Sequence, residues 1–378
     1  MKIRSLVFCA LSACALLESV AVHAQQTVKF GLAVPLTGPA AGYGRDEKMG
    51  ADLAAAEINA AGGILGKRRI ELVYEDEKGT PQDGVAAVQK LMSQAGAKAI
   101  LAGTNSSVTL AESAITKNKV LHVNPGAQAD AITEQGSPWL FQINNTSTTN
   151  STIYHRYLIG TLKPKTMVYM GENTEFNKAV LANLKQALEG SQTKLIEVAS
   201  YDAATTDFTS IITRLKATNA ELVYVVDAYP ARTAQIWKQI RQQGGFPLKA
   251  ASTGTVQASA TRPAEGAMEG VLTGDIFMPD SSAAMNGFYQ RFQAKYGEPP
   301  NKASLVYYEA VQVVAAAMDK AGTDSDYDKI AKTLRDNTWT TPRGTLTFDA
   351  KGRAKAAKFY IQVVKGNDVA LRETFDVK

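Results

Sequence analysis

Cysteine is nearly missing from this chain of 378 residues: there are two, Cys9 and Cys14, both near the N-terminus. Nothing beyond them can enter a disulfide, act as a thiol nucleophile or give a thiolate to a metal. Histidine is almost as scarce, with three in all. Only His122 and His155 lie beyond residue 24, and no HExxH pair exists, so a zinc centre lacks ligands. The motifs of phosphate and acyl chemistry are missing as well. Gly66-Lys67 has Ala61 where a P-loop needs its first glycine, and Arg68 where it needs Ser or Thr. There is no GxGxxG after the first apolar run and no GxSxG elbow. Carboxylates are scattered rather than paired. No catalytic residue, metal or cofactor is expected, and the chain does not read as an enzyme.

Concentrated charge is lacking too. Lys and Arg total 41 against 36 Asp and Glu, a net +5, and the basic residues cluster only at Lys67, Arg68 and Arg69. A nucleic-acid footprint needs a denser stripe, so no nucleic-acid partner is expected. Long apolar runs are absent apart from residues 6–17, which fall short of the ~20 needed to span a bilayer. That run follows Lys2 and Arg4 and precedes Val22-His23-Ala24, a small-x-small cleavage site. Residues 1–24 therefore read as a cleavable secretory signal, and the periplasm as the destination. Leu11-Ser12-Ala13-Cys14 offers a lipoprotein-type alternative through Cys14, but the apolar run continues past it to Leu17.

What remains is ordinary globular material, 45% hydrophobic and 20% charged, long enough for two domains. Strand-like runs at 28–35, 70–75, 97–102 and 120–123 alternate with helix-like segments at 46–61, 82–95 and 109–117. A polar interlude at 142–152 follows, and the alternation resumes: strands at 166–170, 194–200 and 222–226, helices at 177–189, 207–218 and 231–243. This is the βαβ pattern of parallel sheets, so the fold class is α/β with two doubly wound lobes. The interlude is the natural crossover, with further crossings expected near 270–277 and 341–348. Two long helices, 281–295 and 304–320, lie between those, and a last strand spans 358–364.

Ligands of open parallel sheets sit beyond the strands' carboxyl ends. The loops there carry Tyr43 between two glycines, then Asn105, Ser106 and Ser107, then 124–130 (NPGAQAD), then Asp227 and Tyr229. A helix start with two serines suits a carboxylate, through free N–H groups, the dipole and the hydroxyls. Asn105, Ser106 and Ser107 serve equally as helix caps. Tyr43 and Tyr229 fit either packing or an aromatic ligand wall. Asp227 fits either a helix cap or the counter-ion of a ligand cation.

The stretches PLTGPAAGYG (35–44) and INAAGGILG (58–66), with Asp76, Pro81, Asp207-Phe208, 236–244 and 307–310, resemble the branched-chain amino-acid-type solute-binding proteins of ABC importers. The resemblance spans 27–365 and implies a type I periplasmic-binding-protein fold, two lobes joined by a three-segment hinge. It places 25–142 and 275–348 in the N-terminal lobe, 143–274 and 349–378 in the C-terminal lobe. It implies a monomer that closes on a small carboxylate ligand and docks on an inner-membrane ABC permease. By position, Tyr43 matches the tyrosine at the cleft mouth and Ser106 the carboxylate-binding serine. Gly126 and Ala127 fall where main-chain groups assist, Gln128 where amino-acid binders have Thr, Phe176 at an aromatic cleft position and Tyr229 near the ligand ammonium. Gly254 departs from the pattern, because an amino-acid binder is expected to carry Glu there. Either Asp227 takes over the ammonium or the ligand has none. Aliphatic amino acids or analogues, amine-free organic acids, and a ligand-sensing role at a membrane receptor all stay open.

Overall fold

The computed structural model describes residues 27–355 and 358–377; the expected leader with its cleavage site, and Cys14, lie outside the described residues. The first sheet has five parallel strands in the order β2-β1-β3-β4-β5. They are β1 (Thr27–Val34), β2 (Arg69–Asp76), β3 (Ala99–Ala102), β4 (Leu121–Asn124) and β5 (Leu140–Gln142). Helices α1 (Ala41–Ala60), α2 (Pro81–Lys90), α3 (Ser106–Thr116) and the single turn α4 (Ala131–Glu134) connect them. After α5 (Ser147–Arg156) come β6 (Thr166–Glu172), α6 (Glu175–Leu188), β7 (Lys194–Tyr201), α7 (Thr209–Ala217) and β8 (Leu222–Val226). They are followed by α8 (Pro230–Gln242), β9 (Leu248–Ala251), the turn α9 (Ala258–Thr261) and β10 (Leu272–Asp275).

The chain then returns to the first lobe through α10 (Ala283–Tyr296), α11 (Lys302–Ala321) and α12 (Tyr327–Asp336). A small antiparallel sheet follows, β11 (Trp339–Thr341), β12 (Gly344–Phe348) and β13 (Ala354–Lys355). Last come β14 (Lys358–Lys365) and β15 (Asp368–Asp376), antiparallel additions to a second sheet of seven strands in the order β15-β14-β10-β9-β8-β6-β7. The lobes are thus joined between β5 and α5, between β10 and α10, and between β13 and β14. Residues 349–355, assigned above to the second lobe, stay with the first. There β13 pairs with β12, and the Gln142 N–H donates to Gly352 O at 2.8 Å.

Helix starts differ most from the sequence reading. The first helix begins at Ala41 rather than 46, because Gly44 is a packing glycine and not a loop signal: a Cβ there would stand 2.1 Å from Pro35 O. The third begins at Ser106 rather than 109, with the Asn105 side chain accepting the Ser107 N–H at 2.9 Å. The polar interlude is a crossover only over 143–146; from Ser147 it is helix, its Ser147, Asn150, Ser151 and His155 buried. Helix α12 and strand β15 had no counterpart in the sequence reading.

One packing contact positions the cleft. Helices α1 and α11 approach so closely at Gly50 that a Cβ there would lie 1.9 Å from Ser304 O. The same junction is tied by Asn301, which caps α11 through Ser304 N–H and donates Nδ2 to Asp46 Oδ2 at 2.5 Å. Both remaining histidines are core residues. His122 sits between Thr116 Oγ1 and Ala102 O, each at 2.9 Å, and His155 against Asn183 Oδ1 at 2.8 Å. Burial disfavours the imidazolium and lowers each pKa to about 4. In histidine side-chain NMR spectra, both rings are expected to stay neutral from pH 8 down to about pH 5; a midpoint near 6.5 for either would contradict this burial.

Candidate functional site

A cavity lies where the lobes meet, lined from the first lobe by Tyr43, Glu47, Thr104, Asn105, Ser106, Gly126, Ala127, Gln128 and the α11 start. The second lobe adds Phe176, Ala228, Gly254 and Thr255. Apart from the α11 residues, each follows the carboxyl end of a parallel strand, as sheet topology requires. Its volume is about 60 Å³, against the ~10–15 Å³ that one water needs, so the site suits a small molecule.

Ser106 is the most informative wall residue. It is the first residue of α3, and its Oγ accepts the N–H groups of Gln128 at 3.3 Å and Ala129 at 3.2 Å. Two accepted bonds orient the hydroxyl and leave its own proton for a ligand acceptor. The N–H groups of Gly126 and Ala127, by contrast, both bond Gly103 O, at 2.9 and 2.6 Å. These two residues shape the wall but have no N–H to spare. Gln128 accepts the Asn150 amide at 2.7 Å through Oε1. Tyr43 reaches the cavity from the first turn of α1 and Phe176 from that of α6; burial, chiefly, holds the Tyr43 phenol well above its ordinary pKa.

Three of the expected residues lie off the lining. The Ser107 hydroxyl accepts the Glu175 N–H at 3.4 Å, a bond from lobe to lobe. Tyr229 stands at the same seam, its OH accepting the Asn105 amide at 2.7 Å and its ring 4.7 Å from the Arg232 guanidinium. Asp227 is fully buried and fully engaged. It takes Arg232 Nε at 2.5 Å, the Tyr201 hydroxyl at 2.5 Å and the Tyr229 N–H at 2.7 Å. Glu172 completes the cluster, 2.5 Å from Arg232 Nη2. An aspartate so occupied is the anchor of the β8–α8 turn, with nothing left for a ligand cation.

Two charged wall residues escaped the sequence reading. Glu47 lies one helical turn beyond Tyr43 on the same face of α1, and its Oε2 accepts the Thr104 hydroxyl at 2.8 Å. A helix started at residue 41 would have revealed it. Burial raises its pKa to about 8, against the lowering effect of the Thr104 bond. Lys302 is the first residue of α11, and no signal in the sequence singles it out. Its ammonium fills the space beside Gly254, where a Cβ would come within 2.2 Å of Nζ. Burial lowers its pKa, while Asp275 and Glu47 act in the opposite sense.

Two α/β lobes hinged at three strands of chain, with one small polar-walled cavity between their strand ends, define a two-lobed solute-binding receptor. The chain belongs to the periplasmic binding protein family, whose model matches residues 27–368. It is 29% identical over 339 residues to the leucine-, isoleucine-, valine-, threonine- and alanine-binding protein of Pseudomonas aeruginosa, covering 89% of this chain and 90% of that one. In fold it is similar to the branched-chain amino acid transporter substrate-binding protein LivJ of Streptococcus pneumoniae in complex with isoleucine. That match has a TM-score of 0.85 at 23% identity and covers 93% of this chain and 100% of that one. A solute-binding protein from R. palustris in complex with benzoate has the same TM-score of 0.85, at 19% identity, covering 92% and 96%.

Glu47 gives the cleft a measurable pH signature. Its folded pKa of about 8 exceeds the ordinary value of 4.5, so between those limits the folded state holds a proton that the unfolded state has lost. Stability must fall as pH rises through that window. Relative to Glu47→Gln, the parent protein is expected to lose about 1 kcal/mol per pH unit between pH 5 and 8 in paired denaturation curves. Parallel curves would show Glu47 to be ionised in the fold.

Proposed function

We propose that this receptor captures a small carboxylate-bearing solute in the periplasm and, acting as a monomer, presents it to an ABC permease of the inner membrane. The observation that carries the carboxylate is Ser106: a cavity-lining hydroxyl that opens α3 and accepts two backbone N–H groups, which leaves its own proton to donate. A helix start adds partial positive charge at the same point. Tyr43, Phe176 and Gln128 enclose the remainder. The ligand joins walls from both lobes, so its binding energy is spent on holding them together, and closure follows from its differential affinity for the closed state.

The names of the relatives support an aliphatic amino acid or analogue. The engagement of Asp227 by Arg232 and Tyr201 supports the other choice, an acid without an amine. The carboxylate is common to both. After unfolding and refolding to strip carried-over ligand, a thermal-shift panel of aliphatic amino acids and amine-free acids identifies the class that binds. Ser106→Ala is then expected to weaken that ligand about ten- to a hundredfold by calorimetry, the range for a hydrogen bond to a charged group. An unchanged affinity, or a panel in which no carboxylate binds, would overturn the reading.

A further inference from the structure

The charges around the cavity do not match an α-amino acid. Of the second lobe's carboxylates, Asp227 and Glu172 are both held by Arg232, and Asp275 at the end of β10 stands apart from Lys302 without a direct ion pair. The first lobe instead contributes a cation. Lys302 makes no hydrogen bond or ion pair among the described residues, and Asp275 and Glu47 influence it only at longer range. Asp275 is tied to its own backbone, its Oδ1 accepting the N–H groups of Ile276 at 2.6 Å and Phe277 at 3.2 Å. Glu47 is satisfied by Thr104.

Lys302 is also in an electrostatically adverse place. As first residue of α11 it stands at the positive end of the helix dipole, where a cation is disfavoured and an anion welcome. An ammonium so placed, half-buried in the cleft wall and without a direct partner, calls for a negative group from outside the protein. Gly254 makes the placement possible, since any side chain there would occupy the same space. The cavity therefore has two anion-favouring corners, Ser106 opening α3 and Lys302 opening α11.

We propose that the solute is a small dicarboxylic acid without an amine, one carboxylate held at Ser106 and the second at Lys302. This rests on the Ser106 reading above and extends it to the far end of the ligand. An α-ammonium at that end of the cleft would meet Lys302 as a like charge.

The test is calorimetric titration of the refolded protein with malonate, succinate and glutarate. Butyrate, valerate and benzoate serve as single acids, leucine and valine as amino acids. One of the dicarboxylates is expected to bind at least about tenfold more tightly than the single acids and amino acids. Lys302→Met is expected to erase that advantage, bringing the dicarboxylate to within about twofold of the single acids measured on the same variant. The inference falls if a monocarboxylate or an amino acid binds best, or if Lys302→Met binds the dicarboxylate as the parent does. In those cases Ser106→Ala still weakens the preferred ligand, and the carboxylate-receptor reading stands. If no carboxylate binds, both fall together. Should Lys302→Met fail to fold, the ranking of ligands by the parent protein decides alone.

Discussion

The cleft depends on a contact between two backbones. Gly50 of α1 lies against Ser304 of α11 with no room for a methyl group, and Asn301 fastens the junction by capping α11 and reaching Asp46. This fixes where α11 begins, and with it the root of Lys302. It equally fixes α1, whose first two turns carry Tyr43 and Glu47. A substitution such as Gly50→Ala would act on the site without touching it, by pushing one helix start away from the other. Protein interiors transmit such displacements because they are close-packed.

The buried charges divide into those that complete one another and those that do not. Arg343 and Glu309 form a nearly inaccessible pair behind the hinge, and Arg232 binds Asp227 and Glu172 beneath the α8 start. Buried pairs of this kind contribute little net stability, because desolvation offsets their attraction, yet removing one partner is strongly destabilising. They behave as fixed struts. Glu77 and Glu112, facing each other in the first lobe, avoid the problem differently: burial and mutual repulsion raise Glu77 well above the ordinary carboxyl value. Lys302 belongs to neither group. It is a half-buried cation on the cleft wall, without a direct counter-ion among the described residues.

How much of this was legible in the sequence follows from where each residue lies. Ser106, Gln128, Phe176 and Gly254 stand in or beside loops at strand ends, and a βαβ alternation places such loops around one cavity even when boundaries are a few residues off. Glu47 and Lys302 come from helix starts, where those few residues decide whether a side chain faces solvent, core or ligand. Glycine was the source of one error, since Gly44 within α1 signals close packing on Pro35 and reads, locally, as a turn. Asp227 shows a different limit. Its residue type allows a cap or a counter-ion, and the choice rests on Tyr201 and Glu172, which the chain brings from neighbouring strands.

The seam between the lobes explains why such a receptor needs its solute. At the cleft mouth the direct bonds are sparse: Asn105 to Tyr229, and Glu175 N–H to Ser107. Other contacts, such as Asn150 to Gln128 and Thr148 to Asp130, sit beside the first passage between lobes, near the pivot. A hydrogen bond contributes a net ~0.5–1.5 kcal/mol, so two at the mouth supply about 1–3 kcal/mol. Moving a two-state equilibrium from mostly open to mostly closed takes about 5.5 kcal/mol of differential binding. The mouth contacts alone fall short of that, and an anion bridging Ser106 and Lys302 would make up the difference by contacting two helix starts while packing on the second lobe. Closure is then a report of occupancy. A permease that recognises the joined lobes would distinguish a loaded receptor from an empty one without contacting the solute.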